Sequence, residues 1–493
     1  MVRLPHDGVS LTLAVATIHR RMDADCGQQA DGMKNLILNT DSYKLGHFLQ
    51  YPPEVRRVSG YVTTRGKSFW PEVVFFGLQM FLKEYLSKPI SRDDVDEAED
   101  IAGLHGQPFD RVGWQRIIDA HGGYLPLSIE ALPEGMTVRR DTVLAQVVNT
   151  DPQLPWLTGH IETSLLRAIW YPSTIASLSR RLKETLRPFY EKSSDNPEAL
   201  LDVSVADYGA RATTTSEQAG IGGLAHLIHF RRTDTLAAVV CGRRYYGAQM
   251  VGFSLPASEH TTMLAWGREK EAAAFRNMVE QFSGSGAYSV VSDSFDLANA
   301  VSEIWGKELH DIVVQSGATL IVRPDSGDPI DTPVQVVAQL AYAFGTHLNT
   351  KGYKVINHQV RVLQSDAVSV QDMSMVLGRL EGMGFSAENI SFGMGSSLLQ
   401  KASRDSFSFT MRCSAYQDDK HTWHDMARRP VVLRDSEIKA GRRAVVSDDG
   451  DTFDIPLTEL GRRANLLQPV WRNGELLKEW TFEDVIAATV RRL

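Results

Sequence analysis

Cysteine is scarce in this chain. Cys26, Cys241 and Cys413 are the only three in 493 residues, and an odd, scattered set excludes a disulfide framework and fits a reducing compartment such as the cytoplasm. No two of them stand at metal-ligand spacing and HExxH is absent, so no zinc site is offered. Positive charge is short as well: 52 Lys and Arg against 60 Asp and Glu leave a formal charge of -8, without the basic footprint that a nucleic-acid partner requires. No uncharged apolar run approaches the roughly 18 residues of a membrane span. The apolar residues 9–18 follow Asp7 and precede Arg20-Arg21, which argues against a signal peptide. GxxxxGK[ST], a complete GxGxxG and GxSxG are missing too, against nucleoside triphosphate hydrolysis, dinucleotide redox chemistry and serine hydrolysis.

What is present is an ordinary globular composition, 43% hydrophobic and 23% charged, in a chain too long for one core. Its organising stretch is residues 319–329. Leu320, Ile321 and Val322 suit a strand buried on both faces, while Pro324, Gly327 and Pro329 stop it and present Arg323, Asp325 and Asp328 beyond its carboxyl end. Residues 289–296, 360–366 and 389–397 repeat the pattern with acidic or glycine-rich tips. Asp293, Asp325, Asp366 and Gly395 are separated by 32, 41 and 29 residues, each interval fitting one strand, one helix and two loops. Successive βα units of this kind build a parallel sheet or a (β/α) barrel that takes ligands at the strand carboxyl ends. Asp293, Arg323, Asp325, Asp366 and the glycine loop are thus expected to line one pocket. An Asp followed by Ser is also ordinary helix N-cap chemistry; for a single Asp the two readings stand even, and four tips in a row favour the pocket.

Around this core, residues 35–38 read as a strand, 55–64 as another, 73–86 as a helix and 91–120 as acidic and helical. Residues 125–148 turn to β texture about Pro133-Glu-Gly135. Two long helices split near Pro172 are expected over 155–190, followed by the βα section from Leu201 to about Cys413 and a tail of short strands and one helix. Three further tips carry chemistry. Tyr208 and Arg211 end the strand at 203–207 and offer a stacking ring and an anion partner, or a buried tyrosine beside a surface arginine. Asp234 is a cap or an acceptor for a ligand amide, and His260 stands alone. Asp41 and Tyr43 read as a cap and a packed aromatic. The loop Gly393-Met-Gly-Ser-Ser397 opens a helix and can hold a phosphate on its backbone N–H groups.

Asn39-Thr-Asp-Ser-Tyr-Lys44, Gln50-Tyr-Pro-Pro53, Asp207-Tyr-Gly-Ala-Arg211, Gly220-Ile-Gly222, Thr233-Asp-Thr235, Ala257-Ser-Glu-His260, Val291-Ser-Asp-Ser294, Arg323-Pro-Asp-Ser-Gly327 and Leu398-Leu-Gln-Lys401 are collinear and together resemble the nicotinamide phosphoribosyltransferase family. The resemblance implies a type II phosphoribosyltransferase fold of the α/β class: an α/β barrel over 171–413 and a second, β-rich domain built from both ends of the chain, 35–170 and 414–493. Residues 1–34 fall outside it and are expected to be a dispensable extension. It further implies nicotinamide and phosphoribosyl pyrophosphate as substrates, Mg2+ as cofactor, ATP as a coupled substrate through His260, and a homodimer with its sites at the interface.

Residue roles follow from the same resemblance. Tyr208, with Tyr43 of the partner subunit, sandwiches the pyridine; Asp234 accepts from the carboxamide, and Asp41 belongs to the same subsite. Arg211, His260 and Arg323 hold the diphosphate, joined by Arg65 and Arg428 of the partner subunit. Asp325 and Asp366 bind the ribose hydroxyls beside Ser365, while Gly395 and Ser396 take the 5′-phosphate with Arg404 of the partner subunit. Asp293 stands with His260 and Asp325 at the reacting centre, and metal ligands stay unassigned. The chain departs from the family at Ser365 and Ser396-Ser397, where glycines are usual, and at Tyr208, where phenylalanine is common. Two alternatives remain. A nicotinate-specific enzyme is opposed by Asp234, which would face a substrate carboxylate; a non-catalytic binding protein is opposed by Arg323, Asp325, Asp366 and Arg404.

Overall fold

The computed structural model describes residues 35–65, 70–357, 359–365, 368–427 and 439–490; the extension expected over 1–34 lies outside them. Six short apolar runs form the strands β1 (Val205–Asp207), β2 (Arg232–Thr233), β3 (Ala287–Val291), β4 (Thr319–Arg323), β5 (Val360–Gln364) and β6 (Ile390–Met394). They pair in parallel in the order β2-β1-β6-β5-β4-β3. An open sheet would leave two edges of unpaired backbone groups. Residues 253–258 join them: Phe253 N donates to Arg231 O at 2.7 Å and Thr233 N to Phe253 O at 3.0 Å, while Ser258 N donates to Ser289 O at 3.0 Å and Ser289 N to Pro256 O at 2.8 Å. The curled sheet is thereby bridged into a ring, the α/β barrel expected from the spacing of its tips.

Helices cover the outside for reasons visible in their sequences. In Val370–Gly382, Ser369 and Asp372 form a reciprocal capping box, and Met373, Val376, Leu377 and Leu380 make one buried stripe. Leu320 and Val322 on one face of β4 and Ile321 on the other are all buried, as a strand covered on both faces requires.

The second domain is a seven-stranded sheet in the order Trp423–Asp425, Thr410–Gln417, Arg57–Thr63, Val143–Asn149, Leu127–Ala131, Gln468–Arg472 and Glu475–Leu476. Arg57–Thr63 pairs antiparallel with Thr410–Gln417, so both ends of the chain build it. The boundaries drawn at 170 and 413 each fall inside an element. Helix Glu162–Ser193 runs through the first and strand Thr410–Gln417 through the second.

Three local expectations are corrected. Residues 36–38 form a turn rather than a strand, closed by Leu38 N donating to Asn35 O at 3.1 Å. Residues 73–86 begin as the strand Glu72–Val74 and become helical only from Leu78. The two helices expected about Pro172 are one 32-residue helix with Pro172 and Pro188 inside it. Packing overrides the proline there. Val74 N and Phe76 N donate to the hydroxyls of Ser177 and Ser173 at 2.9 and 3.1 Å, and Gly77, at φ 105°, leaves the space in which the Pro172 ring sits.

Where the domains meet, Glu134 is fully buried. It accepts from Gln79 N at 2.7 Å and from the Tyr246 hydroxyl of the barrel at 2.5 Å. The Gln79 amide in turn donates to Tyr245 O and Trp480 O, each at 2.9 Å. Burial pushes the Glu134 carboxyl up to about 7 against the pull of its hydrogen bonds. The folded protein therefore keeps a proton that the unfolded chain releases in the ordinary carboxylate range, and stability falls as pH rises from that range towards about 7. Thermal melts across this window are expected to show a flatter pH slope for Glu134→Gln than for the wild type; identical slopes would contradict this account of the knot.

Candidate active site

All six barrel strands run the same way, so their carboxyl ends share one face. The capping alternative for the acidic tips is settled by neighbouring residues. Asp296 accepts from Asn299 N at 3.1 Å, and Asp328 accepts from Ile330 N and Asp331 N at 2.9 and 2.7 Å. These two do the capping, while Asp293 and Asp325 face His260 instead. Asp234 does not cap its helix either; its carboxylate accepts from the Ser254 hydroxyl, which comes from the bridging segment.

The centre is a line of charged groups drawn from four tips. His260 opens helix His260–Leu264, with Nε2 3.0 Å from Asp293 Oδ1 and Nδ1 3.9 Å from Asp325 Oδ2. The Ser365 hydroxyl donates to Asp325 Oδ1 at 2.5 Å, and Arg323 Nε lies 3.7 Å from the same oxygen. Arg323 Nη2 donates to Ser258 O at 3.1 Å. Its Nε is buried and has no hydrogen-bond partner among the described residues. The Asp293 side chain is 4% exposed and that of Asp325 25%, so Asp325 is the carboxylate open to a ligand. An unsatisfied buried guanidinium N–H beside a partly open carboxylate makes a site for a molecule carrying both an anionic group and hydroxyls or developing positive charge.

Tyr208 stands next to this line. Its N–H donates to Met394 O at 2.8 Å, and its ring lies against Gly393, where a Cβ would come 2.5 Å from Cε2. Burial raises its phenol above the usual range; Arg232 opposes the rise, Asp234 adds to it, and Arg323 and Asp325 contribute smaller opposing effects. The ring thus lies within electrostatic reach of Arg232, Asp234, Arg323 and Asp325.

Other expected residues lie apart. Arg211 is exposed on the short turn Ala210–Ala212. Gly395 precedes the four-residue helix Ser396–Leu399. Asp41 accepts from the Thr163 hydroxyl at 2.5 Å, and Tyr43 is 59% exposed and edge-on to His47; both belong to the antiparallel domain, where no described hydrogen bond or ion pair ties them to the barrel tips. Arg65 and Arg404 come together beside Arg412, and their like charges add to burial in lowering the Arg65 value. Sequence reasoning missed Arg412, whose only signal was its place in the strand that follows Arg404. It also missed Ser254 and Ser258, which reach the site through the irregular bridging segment. Asp366 and Arg428 lie outside the described residues.

The ring of βα units with an antiparallel domain from both chain ends defines the class: a phosphoribosyltransferase of type II architecture. A solved nicotinate-nucleotide pyrophosphorylase from Pyrococcus furiosus shares the fold at a TM-score of 0.60 and 14% identity, over 94% of this chain and 96% of that one. Human nicotinic acid phosphoribosyltransferase does so at 0.56 and 15%, over 91% and 92%. Residues 203–459 match the model of the nicotinate phosphoribosyltransferase family, and residues 35–129 match that of the nicotinamide phosphoribosyltransferase N-terminal domain. A nicotinamide phosphoribosyltransferase from Xanthomonas campestris pv. campestris is 42% identical, over 92% of this chain and 98% of its own length. The chain belongs to the family of nicotinamide and nicotinate phosphoribosyltransferases.

Because a Cβ at Gly393 would collide with the Tyr208 ring, Gly393→Ala is expected to lower stability by about 1–3 kcal/mol through overpacking. It should also weaken any ligand that stacks on Tyr208. Thermal denaturation and ligand titration check both effects, and a variant indistinguishable from the wild type would show that the ring has room to move.

Proposed function

We propose that the chain condenses nicotinamide with 5-phosphoribosyl 1-pyrophosphate to give nicotinamide mononucleotide and pyrophosphate, as a cytoplasmic enzyme of NAD salvage. The observation that carries this reading is Arg323, whose buried Nε has no hydrogen-bond partner among the described residues and lies 3.7 Å from the partly exposed carboxylate of Asp325. In the reaction the pyridine nitrogen attacks the anomeric carbon with its own lone pair, so no general base is needed. The C–O bond breaks with its electron pair leaving on pyrophosphate, and positive charge develops on the ribose. Asp325 stands where it can stabilise that charge and hold a ribose hydroxyl, with Asp366 as its companion and Ser365 fixing its Oδ1. Arg323, Arg211 and His260 hold the leaving diphosphate, with Asp293 orienting the imidazole.

Tyr208 stacks on the pyridine and Asp234 accepts from the carboxamide N–H. The Ser254 hydroxyl occupies one oxygen of Asp234 and leaves the other for the substrate. Nicotinate would set a carboxylate against that carboxylate. Among the described residues no group of three or more His, Cys, Asp or Glu side chains forms a metal cage. Mg2+ is commonly held by one or two carboxylates plus substrate phosphates; Asp325, the more open carboxylate, would take that part, and the ion would neutralise the departing diphosphate. We further infer a homodimer. Arg65, Arg404 and Arg412 gather like charge, offset in part by Asp405; with Tyr43, Asp41 and Arg428 they would cross from the other subunit, Arg65 and Arg428 to the diphosphate and Arg404 to the 5′-phosphate beside Ser396 and Gly395. ATP coupling through phosphorylation of His260 belongs to the same reading.

Mononucleotide formation should be measured with nicotinamide and nicotinate in parallel, on the wild type and on Asp234→Asn. The wild type is expected to favour nicotinamide by about 100-fold or more, and the variant to narrow that margin. Preference for nicotinate would refute the specificity argument while keeping the family, and no product from either would favour a non-catalytic binding role.

A further inference from the structure

Asp207, the last residue of β1, touches neither the charged line nor open solvent, yet three chain segments converge on it. It has no exposed surface. Its Oδ1 accepts from Gly209 N at 2.8 Å, which pins the turn that carries Tyr208 and leads to Arg211. Its Oδ2 accepts from the Thr233 hydroxyl at 3.2 Å. That hydroxyl oxygen in turn accepts from Thr235 N at 3.0 Å, and Asp234 N donates to the Asp207 backbone carbonyl at 2.9 Å. The residues on both sides of Asp234 are therefore tied to the residue that precedes Tyr208. Room for the carboxylate depends on Gly223 in helix Ser216–His226, where a Cβ would stand 2.9 Å from Oδ2.

A carboxylate enclosed in this way is an expensive means of closing a core. Burial raises its acid form above the ordinary range, with its hydrogen bonds opposing, and apolar residues of like volume commonly serve stability as well or better. What apolar packing does not supply is direction. Two acceptor oxygens fixed on one strand end hold two loop tips at a set separation and angle, and rigid support of this kind keeps a recognition site in its productive geometry.

We propose that Asp207 is a positioning residue of the nicotinamide pocket, fixing the stacking ring of Tyr208 and the carboxamide acceptor Asp234 relative to each other. The inference rests on the roles proposed for those two residues. Asp207→Asn keeps the shape and the acceptor for Gly209 but turns a donor towards Thr233; Thr233→Val removes only the hydroxyl. In both variants the KM for nicotinamide is expected to rise about tenfold or more, the scale of one lost hydrogen bond to a charged group. The KM for phosphoribosyl pyrophosphate should hold, the margin of nicotinamide over nicotinate should shrink, and Thr233→Ser should restore both properties.

If the variants lose thermal stability or kcat while nicotinamide KM and the margin stay as in the wild type, Asp207 is merely structural and the inference is overturned. Should Asp207→Asn fail to fold, Thr233→Val decides the matter by the same two readouts. A wild-type protein inactive on nicotinamide would overturn the functional reading, and this inference with it. An active wild type with unmoved variants would overturn the inference alone.

Discussion

The structure depends on keeping opposite charges within about 4 Å of one another without letting them saturate. Asp325 takes a hydroxyl from Ser365 on one oxygen, with Arg323 beside it, and faces His260 on the other. Arg323 spends one N–H on the Ser258 carbonyl and keeps another buried with no hydrogen-bond partner among the described residues. Such a site is unfavourable in the free protein and is tolerated only because rigid strand ends hold it. The ring of parallel strands supplies that rigidity, and the bridging segment 253–258 completes it. Ser258 alone donates its N–H to Ser289, accepts from Val291 N on its hydroxyl and offers its carbonyl to Arg323.

Much of this was legible in the sequence because the signals were local. Proline and glycine after a short β-branched run mark a strand end whatever surrounds it, so the tips at Asp293, Asp325 and Gly395 could be placed from spacing alone. Whether an acidic tip caps a helix or faces a pocket was not legible from one residue. It was decided three residues downstream, where Asp296 and Asp328 take the capping duty. The unbroken helix through Pro172 was hidden for a different reason. Its proline is accommodated by contacts with residues nearly a hundred positions earlier, and those serine-to-backbone bonds have no local signature. Ser254, Arg412 and Asp207 were passed over on the same ground: each acts through partners brought close by the fold.

The antiparallel domain does more than cover the barrel. Its central strand pair joins the two ends of the chain, and Glu134 and Gln79 bind it to the barrel through buried, fully partnered polar groups. It also carries Arg65 near Arg404 and Arg412, whose like charges add to burial in lowering the Arg65 value while Asp405, paired with Arg404 at 3.1 Å, opposes them.

The central claim is that the strand tips form one anion and hydroxyl site organised by Asp325. Calorimetric titration of phosphoribosyl pyrophosphate with Mg2+ into the wild type and into Asp325→Asn tests it most directly. The account predicts saturable binding to the wild type and affinity at least about tenfold weaker in the variant, the loss expected for a charged hydrogen-bond partner. Equal affinity in the two proteins would contradict it.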